Sequence, residues 1–157
     1  MTVGHRGVGG DLVKVVFRLE PGAWHGSGTE TLWAERLGGR RFRLRNVPFF
    51  VFGVGVDDVI FAREAGDVLE FESVSIHAGH STYRIIAGAT IDPEQMSSKW
   101  QELEALGCTY EQGPGRLRAV DVPPQADIHQ VYALLEAGER EGTWDFEEGH
   151  CGHAVST

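Results

Sequence analysis

The sequence has little positive charge and few cysteines, and it lacks any long apolar run. Its 157 residues include 14 lysines and arginines against 23 aspartates and glutamates, so the formal net charge is −9. Phosphate backbones and anionic lipid headgroups repel so acidic a chain, and we expect neither nucleic-acid nor membrane binding. The longest charge-free stretch, 46–56, is far shorter than the roughly 18 residues of a membrane span. Two cysteines are too few for a disulfide framework, so we expect a cytoplasmic protein with reduced thiols.

The signatures of several enzyme classes are also missing. The chain contains no Gly-x-x-x-x-Gly-Lys phosphate loop, no dinucleotide fingerprint, no His-Glu-x-x-His and no Gly-x-Ser-x-Gly nucleophile elbow. Hydrophobic residues make up 41% of the chain and aromatic residues 10%, which is enough to bury a real core.

The first half of the chain alternates apolar and polar residues with the period of two that is typical of strands. Val15 and Phe17 share one face, and Phe42 and Leu44 repeat the pattern further on. Strands are predicted at 12–19, 29–37, 40–46, 57–63 and 67–76. Five short strands without an intervening helix predict a small, strongly bent sheet or barrel.

The second half mixes helical and strand patterns. Asp92 can cap a helix that carries Met96 at apolar spacing, and Asp127 can cap a second helix, which Gly138 or Gly142 ends. Strands are predicted at 81–89, 108–112, 116–122 and 143–149. The order β-α-β-β-α-β is that of a ferredoxin-like sheet with both helices on one face.

We therefore predict an α+β protein in two parts. A flexible tail over 1–10 leads into a small all-β, barrel-like part over 11–78. A ferredoxin-like part over 79–150 follows, and a polar tail over 151–157 ends the chain. The junction of the two parts, near 77–81, is a place where a cleft can form.

The stretch HAGHSTYR, residues 77–84, occupies this predicted junction. Its side chains offer a binding site made of His80, Ser81, Thr82 and Arg84. The other interpretation is a glycine turn that hydroxyl groups stabilise by bonding to the backbone. His80 beside Ser81 resembles a base beside a nucleophile, although side chains adjacent in sequence rarely meet in the geometry that such a pair requires.

Arginines gather on one predicted strand of the first part. Arg41 and Arg43 lie on the same strand face and could grip an anion or an acidic peptide. The alternative is ion pairing across strands with Glu70 and Glu72, and the acidity of the chain favours it.

Three phenylalanines in NVPFFVFG, residues 46–53, cannot all face one core from a strand. We expect a turn after Pro48 to bury Phe49, Phe50 and Phe52. A phenylalanine left exposed would instead mark a binding surface.

The C-terminal stretch EEGHCGH brings potential metal ligands close together in sequence. With Cys108 from an earlier strand, it offers Cys108, His150, Cys151 and His153 as zinc ligands. In an extended strand, however, neighbouring side chains point to opposite faces. We expect a polar strand end without a cofactor, and zinc is the alternative.

Several motifs resemble those of a family of short bacterial proteins, the domain of unknown function 4265. A Glu-x-x-Trp-Ala precedes an Asn-x-Pro-Phe-Phe, and an Asp-Val pair and a Gly-His-Ser-Thr-x-Arg follow. The family has Gly-Asp before that valine, whereas this chain has Asp57-Asp58. The resemblance implies no established reaction. It does mark a set of polar and aromatic positions to watch: Glu30, Trp33, His80, Ser81 and Arg84.

We predict a small binding or regulatory protein, an adaptor or immunity-type factor that recognises a protein or peptide. The missing enzyme signatures, the compact size and the frequent use of ferredoxin-like sheets as binding platforms favour it. A sheet edge after residue 143 would also allow two copies to pair. The alternative is a small enzyme that tailors a peptide or metabolite, with His80 as acid/base, Arg84 holding an anionic group and Glu30 orienting His80.

Overall fold

A computed structural model describes residues 11–155, and within that range the chain forms nine strands and two helices. The predicted mixed α+β class is confirmed, whereas the predicted tail at 1–10 lies outside the described residues. In chain order the elements are β1 (Leu12–Arg18), β2 (Thr29–Gly38), β3 (Arg41–Leu44), β4 (Val59–Ala65), β5 (Val68–Ile76), β6 (Ser81–Ala87), α1 (Pro93–Ala105), β7 (Thr109–Gln112), β8 (Leu117–Val122), α2 (Ile128–Arg140) and β9 (Trp144–His150). No helix in this range is long and apolar enough to cross a membrane.

Strands β1 to β5 close into a barrel. Each strand pairs antiparallel with the next, and a short parallel pairing of β1 with β5 completes the ring. The period-two residues Val15, Phe17, Phe42 and Leu44 are buried together in the barrel core, as the alternation predicts. Phe71 stacks on Phe17 with ring centroids 4.6 Å apart. The barrel therefore has an apolar interior of its own.

Strands β6 to β9 form a second, antiparallel sheet in the order β7-β8-β6-β9. Both helices bury their apolar side chains in one cluster on this sheet. The cluster contains Tyr83, Ile85, Met96, Trp100, Leu103, Val120, Val122, Val131, Leu135 and Trp144. Strand β9 lies at one edge of the sheet, and its side chains alternate between this core and the opposite face.

Aspartates begin both helices, as predicted. The Asp92 carboxylate accepts the Glu94 N–H at 3.1 Å, and Asp127 caps α2 in the same manner. Of the two glycines predicted to end the second helix, Gly142 is the correct one: α2 continues to Arg140, and Gly142 follows the C-cap residue Glu141 with a φ of +78°. A Cβ at position 138 would collide with the Trp144 indole. Gly138 is thus a point of close packing and not a helix stop.

A segment without regular structure, residues 45–58, runs between β3 and β4 and contacts the second sheet. We call it the connecting segment. The Gly53 N–H donates to the Gly149 carbonyl at 2.9 Å, and the Val47 N–H donates to the Glu111 carboxylate at 3.1 Å. These bonds fix the barrel against both β7 and β9, so the connecting segment decides what lies at the junction.

Candidate functional site

Glu30, on β2, holds the connecting segment in a turn. Its buried carboxylate accepts the N–H groups of Phe49, Phe50 and Val51 at 2.6, 2.9 and 2.9 Å. Hydrogen bonds to a charged acceptor are about twice as strong as neutral ones. Three consecutive amides on one carboxylate therefore make Glu30 an anchor for this turn.

Arg84, on β6, binds the same turn from the other side. Its guanidinium donates to the carbonyls of Phe50 and Val51 at 2.8 and 3.0 Å, and to the Glu147 carboxylate at 3.2 Å. The residue is 1% exposed. Burial lowers the pKa of Arg84, and Glu147 opposes that shift. Glu30 accepts hydrogen bonds from the backbone amides of this turn, and Arg84 donates hydrogen bonds to its carbonyls. Both side chains therefore stabilise the fold.

His80 lies between two carboxylates. Its Nδ1 is 2.8 Å from Asp121 and its Nε2 is 3.5 Å from Asp57. Burial alone would lower the pKa of His80, but the bond to Asp121 and the proximity of Asp57 outweigh it and raise the pKa to about 9. His80 is therefore a charged, ion-paired side chain at neutral pH, and a protonated imidazole is unsuited to act as a general base.

Ser81 and Thr82 are fully buried at the start of β6. The Ser81 hydroxyl contacts His153 Nδ1 at 2.6 Å and accepts the Gly152 N–H at 2.9 Å. Thr82 donates to the Val54 carbonyl at 3.4 Å. The imidazole that contacts Ser81 is thus that of His153 and not that of His80. Because Ser81 and His153 lie 72 positions apart in the chain, no local sequence pattern predicts this contact.

The remaining predicted binding residues lie on the outside of the barrel. Arg43 pairs with Glu35, directly opposite on β2, at 3.2 Å, while Arg41 is exposed. The Trp33 ring faces outward with Lys14 Nζ 5.3 Å from its centroid. None of these three residues lines the pocket beside Trp24 and Arg84. Their binding role stays a prediction.

Glu70 and Glu72, the acidic partners expected for Arg41 and Arg43, pair with other arginines. Glu70 binds Arg18 at 2.8 Å and Arg63 at 2.6 Å, both on strands beside its own. Glu72 lies 3.5 Å from Arg40. Cross-strand pairing therefore occupies the acidic face of β5.

The four predicted zinc ligands occupy different surroundings. Cys108 is buried, and burial with nearby Asp121 raises its pKa to about 12. The Cys151 thiol lies 3.6 Å from the His153 carbonyl. His153 is engaged by Ser81 and, through Nε2 at 2.9 Å, by a backbone carbonyl. His150 instead lies beside two residues that the sequence did not single out as ligands, Asp58 and His77.

Two large aromatic side chains are exposed on one side of the junction. Trp24, in the loop between β1 and β2, is 55% exposed, and Phe52 is 58% exposed. The predicted burial of Phe52 is therefore wrong. Because Glu30 fixes the amides of residues 49–51, the turn directs Phe52 outward, where its ring lies 4.8 Å from the Arg84 guanidinium.

A pocket of about 200 Å³ opens beside these aromatic rings. It lies on the helix-free side of the second sheet, at the β9 edge. Its lining consists of Trp24, Arg84, Ile86, Asp145, Phe146 and Glu147. We call Trp24, Phe52 and this pocket the aromatic surface. Trp24 also packs edge-on against Phe50 at 5.9 Å, so the same turn supports both exposed rings.

Comparisons with known proteins place the fold and the family. The structure is similar to the crystal structure of a hypothetical protein from Neisseria gonorrhoeae, with a TM-score of 0.74 and 15% sequence identity over 92% of this chain and 97% of that chain. At that identity the likeness concerns the fold alone. No match is found among curated proteins. The family model for the domain of unknown function (DUF4265) matches residues 30–146, and the chain therefore belongs to that family.

Proposed function

We propose that this protein is a binding module that uses the aromatic surface to recognise a protein or peptide. The ligand we propose is a basic peptide segment, in which an apolar side chain enters the pocket and a neighbouring lysine or arginine meets the acidic rim. The observation that carries this proposal is the exposure of Trp24 and Phe52 beside an apolar pocket. Exposed aromatic side chains around a pocket are typical of binding hot spots.

The frame behind the aromatic surface supports this role. Trp24 rests on Phe50, and Phe50 belongs to the turn that Glu30 and Arg84 hold by five hydrogen bonds to backbone groups. A surface that is already ordered loses less conformational entropy when a ligand binds. Glu30 and Arg84 would thus contribute to binding indirectly, by keeping the surface in place.

Charge favours a basic ligand. Asp145 and Glu147 line the pocket as its acidic rim; Glu147 is paired with the buried Arg84, so the exposed Asp145 supplies the negative charge offered to a ligand. The chain as a whole carries a net charge of −9. Complementary charge on the ligand would speed association and make it sensitive to salt.

The proposal extends to the two-part architecture of the chain and to its cellular role. We infer a ferredoxin-like part, residues 79–150, after a barrel-like part, residues 11–78, and a cytoplasmic adaptor, regulatory or immunity-type role. Strand order β7-β8-β6-β9 and the element order β-α-β-β-α-β support the ferredoxin-like assignment.

The alternative, a small enzyme built on Glu30, His80 and Arg84, has less support from the geometry. Glu30 and Arg84 bond to the connecting segment, and His80 bonds to Asp121. The three side chains therefore do not present free groups to one pocket. Ser81, the hydroxyl that the sequence places beside His80 in the manner of a nucleophile, is fully buried.

A peptide-display selection tests the proposed binding. Immobilised wild-type protein would be challenged with a random peptide library, in parallel with Trp24→Ala and with Trp33→Ala. Trp33→Ala is the matched control, because it removes the same ring from the outer face of the barrel. We expect wild type and Trp33→Ala to enrich peptides with an apolar residue next to lysine or arginine, and Trp24→Ala to lose that enrichment. Equal enrichment on all three proteins, or none on wild type, would overturn the proposal.

A second copy of this chain is the rival occupant of the aromatic surface, because β9 is an edge strand. Sedimentation of wild type and Trp24→Ala over a range of concentrations separates the two cases. A monomer in both, together with peptide enrichment, supports the peptide ligand. A dimer that Trp24→Ala dissociates would assign the surface to self-association instead.

A further inference from the structure

We propose that Asp58, His77 and His150 form a binding site for one divalent transition-metal ion of the zinc class. The site is separate from the aromatic surface, and it does not depend on the proposed peptide binding. It also differs from the four-residue set that the sequence offered, with which it shares one histidine.

Three strands bring these side chains together. Asp58 directly precedes β4, His77 directly follows β5, and His150 is the last residue of β9. His77 Nδ1 lies 2.8 Å from Asp58 Oδ2, and the imidazoles of His77 and His150 stack with centroids 4.6 Å apart. Each residue offers one ligand atom, and the three atoms lie within 4.8 Å of one another.

His150 has an unused ligand atom at this point. Its Nε2 is buried and has no hydrogen-bond partner among the described residues. A buried polar atom without a partner costs about 1–3 kcal/mol, and a metal ion would satisfy it.

Asp58 is positioned as ligating carboxylates commonly are. The residue is fully buried, and its two oxygens accept the N–H groups of Gly55 at 2.9 Å and Ala78 at 2.8 Å. Such outer hydrogen bonds orient a carboxylate and hold it towards a metal. His77 is the ligand most open to solvent, since its side chain is 46% exposed.

Two imidazoles and one carboxylate are a ligand set that zinc uses in proteins, with a fourth position left for water or a bound group. At zinc–ligand distances of about 2.0–2.2 Å, tetrahedral ligand atoms lie roughly 3.3 Å apart. Since the three atoms lie within 4.8 Å of one another, closing them around one ion requires no separation to shorten by more than about 1.5 Å. His77 Nδ1, now 2.8 Å from Asp58 Oδ2, must move slightly away from that oxygen, and the His77 ring must leave its stack on His150.

Zinc titration of chelator-treated, untagged protein tests this site. Binding would be followed by calorimetry, and Co²⁺ would be titrated in parallel because its absorption spectrum reports the ligand geometry. His77→Ala and His150→Ala each remove one proposed ligand. His129→Ala, on the exposed face of α2, is the matched histidine control. Cys151→Ser separates this site from one built on the C-terminal cysteine.

We expect one Zn²⁺ per chain in wild type and at least a tenfold loss of affinity in both ligand variants, as the loss of even an outer-shell partner costs about 10–100-fold. His129→Ala and Cys151→Ser should bind as wild type does. His77→Ala keeps the test valid if His150→Ala folds poorly, because His77 is half exposed. No binding to wild type, binding that survives both ligand variants, or binding that Cys151→Ser abolishes would overturn the proposal.

Discussion

The junction between barrel and sheet has two sides that differ in what their side chains do. On the inner side, Glu30 and Arg84 are buried and the His80 side chain is only 14% exposed, and all three are bonded to backbone groups or to counter-charges. On the outer side, Trp24 and Phe52 are largely exposed. The buried charged side chains therefore stabilise the fold, and the exposed aromatic rings are available to a partner.

Mutations on the two sides should therefore affect different properties, stability on the inner side and binding on the outer side. Changes on the inner side should lower the free energy of unfolding, because they leave buried polar groups without partners. Changes on the outer side should leave stability alone and reduce binding. The mutations below test that division, from the largest expected effect on stability to the smallest.

Replacing Arg84 by methionine should have the largest effect. The change keeps most of the side-chain length but strands two backbone carbonyls and the Glu147 carboxylate. We expect the free energy of unfolding to fall by about 3–5 kcal/mol, the usual cost of breaking a buried charged interaction. Urea denaturation measures it. Arg41→Met, at an exposed position on the barrel, is the control and should change stability by less than about 0.5 kcal/mol.

His80 should make stability depend on pH in the alkaline range. The pKa of His80 is about 6.5 in the unfolded chain. In the folded protein Asp121 and Asp57 raise it to about 9. Asp57 is itself paired with Arg45. Since the folded pKa is raised, the stabilisation is complete below about pH 6.5 and is lost as the pH rises through about 9. The full contribution is on the order of 3 kcal/mol.

Urea denaturation at several pH values measures this loss. His80→Gln should remove the alkaline decline in stability, whereas His25→Gln, in the exposed loop that carries Trp24, should keep it. A wild-type stability that stays constant up to pH values well above 9 would contradict the ion-paired state of His80.

Gly149→Ala should have a smaller effect of the same kind. A Cβ at this position would collide with the Arg84 guanidinium, which lies against the β9 backbone. We expect a loss of about 1–3 kcal/mol, typical of overpacking, in urea denaturation. Gly66→Ala is not a suitable control, because its φ of +64° adds backbone strain. Gly28→Ala, with open space around it and no such φ, should be close to neutral.

Trp24→Ala should change stability least. The ring is 55% exposed, and surface substitutions usually stay within about 0.5 kcal/mol. A much larger loss in urea denaturation would mean that Trp24 belongs to the structural side of the junction. The comparison between the two sides would then fail.

The fold could be predicted far better than the site. Period-two alternation and the capping residues Asp92 and Asp127 are local signals, and they located the strands and helices to within about two residues. Of the two glycines predicted to end α2, Gly142 is correct, whereas Gly138 lies inside the helix because it contacts Trp144 on the next strand. Glycine is found both where a helix ends and where a side chain packs closely against a helix, and the sequence alone does not distinguish the two cases.

The site could be predicted only in part, because its contacts join distant positions. The family motifs marked Glu30 and Arg84, but their task, holding one turn from two sides, depends on segments 19 to 34 positions away. The contact of Ser81 with His153 spans 72 positions. Exposure of Phe52 follows from that turn, so no local pattern indicates it.

The most direct test of the division between the two sides is the affinity of one selected basic peptide for Trp24→Ala and for His80→Gln. The two variants would be compared with wild type by calorimetry, at a temperature where all three are folded. We predict that Trp24→Ala loses at least about tenfold in affinity, as a hot-spot residue does, and that His80→Gln binds as wild type does. Loss of affinity in His80→Gln with unchanged binding to Trp24→Ala would contradict the account.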